Sequence, residues 1–276
     1  MNKQRFTIRL LLPTLAVVVF VLACFLAASP GQERKEVAKA PGKAKRVLVF
    51  SGTGWYRHPE IAKTNGWLVR TAGEAGYAVD VTETAADITT GRLAEYHLLV
   101  LNNANELDKV FNEKQRTAIA DWYKEGRGIV ALHAALVHQM KWTWFNELAG
   151  CDFNSDSEFC KAKLVVDPKN LEHPAVKGFG PEFEYSADWT NHDRSVTGLA
   201  GVKVLLRIDE STYEPVREYF KTRGGKAMGK DHPVAWVREH GGGRFFYTEL
   251  GHDLRSLDTE FGRKHIVEGC RWAAGE

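Results

Sequence analysis

Short apolar runs alternate with amphipathic segments from residue 46 onward, and this alternation most constrains the fold. The predominantly apolar runs are 47–51, 97–102 and 128–132. Runs of this length are typical of parallel strands that are buried on both faces. Helical patterns at 60–75 and 112–125 separate them, and Gly76 and Gly126 follow these patterns as helix stops. The alternation predicts an α/β protein with a mainly parallel sheet covered by helices on both faces.

The second half of the chain is less regular but still contains strand patterns. Further strands are predicted at 162–166, 202–208, 234–238 and 244–248. The glycines at 241–243 predict a tight turn, which would let the last two strands pair antiparallel. A helix at 257–274 is expected to close the chain. We expect one domain whose middle loops cover the crevice above the sheet.

The N-terminus has the pattern of an export signal. Residues 1–28 contain Lys3, Arg5 and Arg9 but no acidic residue, and an apolar run begins at Leu10. A short basic segment followed by an apolar stretch is typical of secretory signals.

Three interpretations of this segment stay open. Residues 1–28 are expected to be an ordinary signal peptide, a lipoprotein signal with lipid attached at Cys24, or a retained membrane anchor. Residues 29–45 are rich in Pro, Gly, Ala and charge and predict a flexible linker, and residues 46–276 form the folded domain. The protein is therefore expected to be exported, either periplasmic or anchored to a membrane through the N-terminal segment alone.

The charge of the predicted domain argues against nucleic acid as a partner. The whole chain has a formal net charge of +2, but without the three basic residues of the export segment 34 basic side chains remain against 35 acidic ones, a net charge of −1. A near-neutral domain without a basic stripe lacks the electrostatic attraction on which nucleic-acid binding depends. We expect no nucleic-acid binding.

Three cysteines follow the export segment. Cys151 and Cys160 are close enough in sequence to form a disulfide in an oxidising compartment. Cys270 lies in a helical pattern and is expected to be a buried free thiol. No pair has the spacing of a zinc ribbon.

Five histidines lie where a predicted strand gives way to a loop. They are His58, His133, His192, His232 and His252. In an open α/β sheet, ligands bind in the crevice at the carboxyl ends of the strands. Imidazoles gathered there can relay protons, bind a metal or hold a polar substrate. This pattern predicts a functional site at one edge of the sheet.

The loop after the first strand contains residues suited to a polar, ring-shaped ligand. Trp55, Arg57 and His58 lie there with Tyr56, after two glycines that let the backbone approach a ligand. The loop lacks the third glycine of a dinucleotide-binding turn and the lysine of a P-loop, so nucleotide binding is not favoured. The alternative is that Trp55 and Tyr56 only pack the loop.

Acidic residues near the histidines are candidates for proton transfer. His133 leaves a buried strand into two alanines, which leave open space beside the imidazole; the alternative is a satisfied core residue. Asp188 or Glu249 beside His133 would complete an acid–base pair. Histidine with a carboxylate also suits a divalent metal such as zinc, but no fixed ligand spacing assigns metal ligands. The cofactor therefore stays open.

Motifs that extend from residue 46 to the C-terminus resemble those of the ThuA-like (trehalose-utilisation) family. The matching segments are Ser51-Gly52 with Arg57-His58, 128–135 (GIVALHAA), Asp167 with 173–175 (HPA), 231–236 (DHPVAW), 242–248 (GGRFFYT), 251–253 (GHD) and 271–275 (RWAAG). Together they cover the whole predicted domain.

The resemblance implies a fold and a role, and it allows one activity of related proteins to be compared with this sequence. The implied fold is a flavodoxin-like three-layer sandwich similar to class I glutamine amidotransferases, and the implied role is breakdown of trehalose or keto-disaccharides. In those amidotransferases a cysteine nucleophile follows a central strand on a sharp turn. Here the corresponding residues are His133-Ala134-Ala135, so glutamine amidotransferase activity is not expected.

The sequence therefore predicts an exported enzyme of carbohydrate catabolism, with a small-molecule carbohydrate as its partner. His133, Asp188 and Glu249 are the candidates for moving protons. The candidate substrate-binding residues are Trp55, Arg57, His58, His192, His232 and His252. The alternative is a non-catalytic carbohydrate-binding or partner-docking module at the cell envelope. The exact substrate, the reaction and the oligomeric state stay open.

Overall fold

The computed structural model describes residues 44–138 and 141–276. The predicted export segment, Cys24 and nearly all of the predicted linker lie outside the described residues. In chain order the elements are β1 (Arg46–Phe50), α1 (Ile61–Glu74), β2 (Ala78–Thr82), α2 (Thr90–Leu93), β3 (Leu98–Asn102), α3 (Leu107–Val110), α4 (Glu113–Lys124), β4 (Gly128–Leu132), α5 (Thr143–Ala149), β5 (Phe153–Asp156), β6 (Cys160–Val166), β7 (Glu182–Ala187), β8 (Thr190–His192), β9 (Val202–Asp209), α6 (Glu218–Lys221), β10 (Pro233–His240), β11 (Gly243–Thr248), α7 (Leu254–Leu257) and α8 (Glu260–Ala273). None of these helices is long and apolar enough to cross a membrane.

A large central sheet organises the described chain. Within residues 44–138 and 141–276, nine strands form one sheet in the order β2-β1-β3-β4-β11-β10-β9-β6-β7. The first five strands of this order run parallel, and the remaining four continue the sheet in antiparallel pairs. β5 and β8 form a separate antiparallel pair. The predicted α/β fold is confirmed, and its parallel strands all end at one edge.

Apolar side chains are buried on both faces of the central strands. In β1, Val47 and Val49 pack on one face together with Trp67 of α1 and Ile266 of α8. Leu48 and Phe50 point to the other face, because successive side chains of a strand alternate. Helices α4 and α5 cover that second face through residues such as Ile119 and Phe145. This arrangement is the predicted three-layer sandwich, and it explains why β1, β3 and β4 are continuous apolar runs.

The predicted start of α4 is confirmed by its hydrogen bonds. The Asn112 side chain accepts a bond of 3.0 Å from the Gln115 amide, and the Gln115 side chain accepts one of 2.9 Å from the Asn112 amide. This reciprocal pair is a capping box. At the other end of the helix Gly126 has φ = 88°, a left-handed conformation that glycine adopts without strain.

Two sequence-based expectations differ from the structure. The predicted closing helix is two helices, because the Thr259 side chain accepts a bond of 2.9 Å from the Gly262 amide and starts α8 anew. The expected Cys151–Cys160 disulfide is not formed: Cys151 is a buried free thiol and Cys160 a half-buried one.

Close packing of α8 on the sheet predicts a large effect of one methyl group. A Cβ at Gly269 would overlap the ring of the fully buried Phe246, whereas a Cβ at Gly73 of α1 would meet no atom within 4 Å. We expect Gly269→Ala to lower the free energy of unfolding by about 1–3 kcal/mol through overpacking. Gly73→Ala should leave it unchanged or raise it by up to about 1 kcal/mol.

Urea denaturation of the two variants and the parent protein measures this difference. Equal midpoints for Gly269→Ala and Gly73→Ala would show that α8 does not pack as closely as the structure indicates.

Candidate active site

His133 lies on a sharp turn directly after the central strand β4. Its backbone has φ = 49°, a left-handed conformation that costs a residue other than glycine about 1–3 kcal/mol. The Tyr247 hydroxyl oxygen lies 3.1 Å from the His133 carbonyl oxygen and shares its single hydrogen between this oxygen and a second acceptor. Gly251 packs on the turn, since a Cβ there would lie 3.1 Å from the Leu132 Cβ and 3.2 Å from the His133 Cβ. These contacts hold the strained turn at the carboxyl edge of the sheet.

Three imidazoles meet at this edge although they are far apart in sequence. His58 follows β1, His133 follows β4 and His252 follows β11. The His58 ring centroid lies 5.1 Å from that of His133 and 5.0 Å from that of His252, and the last two are 4.9 Å apart. One ring nitrogen of each histidine lies within 4.8 Å of the other two. No other group of His, Cys, Asp and Glu in the described residues has ligand atoms placed to hold a metal ion.

Asp188, which follows β7, lies beside two of the three imidazoles, those of His133 and His252. Its Oδ2 accepts a hydrogen bond from His252 Nδ1 and lies 3.5 Å from His133 Nε2. The carboxylate is buried, and a buried carboxylate is tolerated only where charged or hydrogen-bonding partners surround it. We call His58, His133, His252 and Asp188 the histidine–aspartate cluster.

The protonation states within the cluster follow from burial and charge. Burial, together with the neighbouring imidazoles of His133 and His252, lowers the pKa of His58 to about 2. Burial also lowers the pKa of His133, although the charge of Asp188 opposes it. Burial favours neutral Asp188, but His133 and His252 outweigh it and lower the pKa of Asp188 to about 2. At neutral pH the cluster thus contains an ionised carboxylate and two neutral imidazoles, His58 and His133.

His252 differs from the other two imidazoles. Its burial favours the neutral form, but the hydrogen bond with Asp188 and the charge of that carboxylate raise the pKa of His252 above the ordinary value of 6.5. Its ring is also the most accessible of the three, since its side chain is 34% exposed whereas that of His133 is 6% exposed. His252 is therefore the imidazole of the cluster that can carry a proton and still meet a ligand.

The cluster forms part of the wall of a cavity of about 570 Å³. This volume lies within the range of small-molecule sites, about 300–1,000 Å³. The aromatic residues that line it are Trp55, Tyr56, Phe153, Phe159, Tyr219 and Phe220. Trp55, Tyr56 and Tyr219 are 52%, 52% and 54% exposed, and they are the exposed large aromatic side chains of the described chain. We call these three residues the aromatic rim.

Charged residues that sequence analysis did not identify also line the cavity. Arg217 Nη2 donates a bond of 3.0 Å to Asp156 Oδ2, and both residues contribute to the wall together with Glu158 and Arg255. Burial raises the pKa of Asp156 to about 7 in spite of the Arg217 charge. Asp156 ends the short strand β5 and Arg217 directly precedes the short helix α6; the two are far apart in the chain, so no spacing in the sequence indicates that they meet.

The structure brings together five of the predicted site residues and separates the other four. Those that line the cavity are Trp55, His58, His133, Asp188 and His252. The others are Arg57, His192, His232 and Glu249. The exposed Arg57 forms two hydrogen bonds with Glu83, of 3.0 and 2.7 Å, and points away from the cavity. Its predicted contact with the substrate has no support in this geometry.

His192 and Glu249 form a second, buried polar pair next to the cavity. His192 Nε2 lies 2.9 Å from Glu249 Oε1, and the Tyr247 hydroxyl donates a bond of 2.8 Å to the same oxygen. The Tyr247 hydroxyl also reaches the His133 carbonyl oxygen. Tyr247 therefore connects Glu249 to the turn at His133. Neither His192 nor Glu249 lines the cavity of about 570 Å³, although both were predicted as site residues.

His232 lies at the predicted end of its strand but does not enter the cavity. β10 and β11 pair antiparallel as expected, which places His232 and His252 at the same edge. His232 is nevertheless completely buried, with Nδ1 2.8 Å from Glu210 Oε1 and Nε2 2.8 Å from the Thr190 carbonyl oxygen. With both nitrogens occupied, His232 is a structural residue, and its predicted role in substrate binding is corrected.

No cysteine stands at the turn after β4 where an amidotransferase nucleophile would be expected. Cys151 is completely buried, and burial raises the pKa of its thiol. A thiol that is neutral and shielded from solvent is not a nucleophile. Cys151 therefore does not take the place of the cysteine that is missing from this turn.

The large, mainly parallel sheet with helices on both faces is an α/β fold similar to that of class I glutamine amidotransferase-like structures. PurLQS from Thermotoga maritima has a similar fold, with 13% identity, a TM-score of 0.50, and coverage of 84% of this chain and 98% of that chain. The family model described as "ThuA: Trehalose utilisation" matches residues 46–273. The chain therefore belongs to the ThuA family, as its motifs predicted.

Solved structures of ThuA-like proteins share this fold. One from Bacteroides uniformis is 20% identical with a TM-score of 0.69, and the match covers 86% of this chain and 94% of that chain. Another from Parabacteroides merdae is 18% identical with a TM-score of 0.62, covering 84% and 91%. No curated protein matches the chain in sequence.

The structural role of His232 can be tested by its removal. His232→Ala leaves the half-buried Glu210 without its imidazole partner, so we expect the free energy of unfolding to fall by about 1–3 kcal/mol. The control is His240→Ala at the exposed end of β10, which should change it by less than about 0.5 kcal/mol. Urea denaturation measures both, and equal losses in the two variants would contradict the structural assignment of His232.

Proposed function

We propose that this protein is an exported enzyme of carbohydrate catabolism that acts on a disaccharide-type sugar in the 570 Å³ cavity. The observation that carries the proposal is the position of the histidine–aspartate cluster, inside a cavity that is rimmed by exposed aromatic side chains. Membership of a family described by trehalose utilisation supports a substrate of the trehalose or keto-disaccharide type.

The aromatic rim supports a sugar ligand. A sugar ring has apolar C–H faces that pack on aromatic side chains and hydroxyls that require hydrogen-bonding partners. Trp55, Tyr56 and Tyr219 supply the first kind of surface, and Asp156 and Arg217 supply charged partners in the same cavity. Exposed aromatic surface of this kind commonly marks a binding site.

The histidine–aspartate cluster supports chemistry beyond binding. Carboxylate and imidazole groups within contact of a substrate provide acid–base catalysis, and fixed charges in a shielded site stabilise charge that develops in a transition state. The left-handed His133 and the buried Asp188 both cost free energy of folding. A surface that only binds sugar does not require either cost, which favours an enzyme over a non-catalytic module.

The decisive experiment compares turnover with binding. The purified protein is incubated with trehalose and with 3-keto-disaccharides, product is followed by chromatography, and affinity is measured by calorimetry. We expect Asp188→Asn to lower kcat about 10²–10⁴-fold with a much smaller change in affinity, because the amide keeps the shape of the carboxylate but not its charge. Trp55→Ala should instead raise KM, since it removes part of the aromatic rim.

His240→Ala is the matched control, because His240 lies at the exposed end of β10 opposite the cavity edge. Its kinetic constants should equal those of the parent protein. Sugar binding without any product in the parent protein would favour the non-catalytic module, and undiminished turnover in Asp188→Asn would reject the role of the cluster.

Export is the second part of the proposal and is supported by the N-terminal sequence. Residues 1–28 combine three basic residues with an apolar run that reaches Cys24 and beyond. We expect the protein to be recovered from the periplasm or a membrane fraction, and mass spectrometry of its N-terminus separates a cleaved signal from a retained anchor. Release from the membrane by Cys24→Ser would identify lipid attachment. Recovery of the full-length protein from the cytoplasm would contradict export.

A further inference from the structure

We propose that His58, His133 and His252 together bind one divalent transition-metal ion of the zinc type. The ion would lie in the wall of the cavity, where a bound sugar reaches it. The proposal deepens the proposed function and rests on it only for the identity of the substrate, because the binding of the metal itself depends on the three histidines alone.

The spacing of the three histidines fits one ion. Their ligand atoms lie within 4.8 Å of one another, and three imidazole nitrogens on a tetrahedral zinc ion are about 3.3 Å apart at Zn–N distances of about 2.0–2.1 Å. Small side-chain rotations close this difference. The histidines follow β1, β4 and β11, which are strands of one buried sheet, so the backbone positions of the site are set by the fold.

Ring nitrogens that are available for coordination are the second observation that supports binding of a metal ion. His58 Nδ1 is buried and has no hydrogen-bond partner among residues 44–138 and 141–276. A buried polar atom without a partner costs about 1–3 kcal/mol, and such atoms in native proteins commonly mark an ion or another ligand. On His252 the hydrogen bond to Asp188 occupies Nδ1, which leaves Nε2 free to coordinate.

Asp188 has the position of an outer partner of a metal site. Metal-binding histidines usually donate their second N–H to a carboxylate, which fixes the ring and raises its basicity as a ligand. The contact between Asp188 Oδ2 and His252 Nδ1 is of this kind. The carboxylate also brings one negative charge close to the ion. Asp188 is therefore a positioning residue in this proposal.

The ligand type and the cavity indicate which metal binds and how. Three neutral imidazoles suit zinc and its neighbours among the transition metals, whereas Mg²⁺ and Ca²⁺ prefer oxygen ligands. Three protein ligands leave a coordination position open, as in catalytic zinc sites and unlike closed structural ones. Because the site faces the 570 Å³ cavity, a carbonyl or hydroxyl oxygen of a sugar can take that position and be polarised by the ion.

The test measures metal binding directly. The full-length protein is treated with a chelator and then titrated with Zn²⁺ by calorimetry and with Co²⁺ by visible absorption. We expect one ion per chain and cobalt bands typical of a four- or five-coordinate site. His252→Gln, at the most accessible ligand, should lower the affinity more than about 100-fold, and Asp188→Asn about 10–100-fold. His240→Ala is the matched control and should bind as the parent protein does.

Thermal unfolding keeps the test valid if a ligand variant is less stable. Saturating Zn²⁺ should raise the Tm of the parent protein and of His240→Ala, because an ion that binds only the folded state stabilises it. It should not raise the Tm of His252→Gln or His58→Ala. Absence of stoichiometric binding, or equal binding in His252→Gln and His240→Ala, overturns the proposal.

Failure of the metal site and failure of the proposed function give different results. If the protein converts sugars but binds no stoichiometric Zn²⁺, the metal proposal is wrong and the enzyme proposal stands. If Zn²⁺ binds at the three histidines but no sugar is converted, the metal site stands and the proposed enzyme activity is wrong.

Discussion

The burial of both faces of the central strands is the constraint from which the site follows. β1, β3 and β4 have apolar side chains on each face, so polar side chains are placed where these strands end. Because the parallel strands end at the same edge, histidines that are distant in sequence become neighbours there. The apolar pattern that stabilises the fold thus also selects the place where polar chemistry is concentrated.

Asp188 is the charge around which that chemistry is arranged. Burial disfavours its ionised form, but the imidazoles of His133 and His252 more than compensate and hold its pKa low. The same carboxylate raises the pKa of His252. One buried anion therefore makes the three imidazoles unequal, since the pKa values of His58 and His133 are lowered while that of His252 is raised. Such inequality is what allows neighbouring groups of the same type to take different roles.

The sequence predicted the parallel strands, the family and five of the cavity residues, because each depends on a local pattern. Continuous apolar runs identify buried strands, and a histidine directly after such a run is placed at the sheet edge by the fold itself. His232 shows the limit of this reasoning: it lies at the correct edge, but its side chain is buried and bound to Glu210 and Thr190. Asp156 and Arg217 show another, since they lie at the ends of two short elements, β5 and α6, that are far apart in the chain and that no periodicity brings together.

The aromatic rim and His133 belong to different parts of the fold. Tyr219 lies in the short helix α6, and Trp55 and Tyr56 lie in the loop after β1, whereas His133 is tied to the sheet through Tyr247 and Gly251. Loops accept changes in length and sequence that a buried sheet does not. Proteins with this architecture can therefore diverge in the sugars they admit while the reactive groups stay in place, so that specificity and reactivity evolve separately.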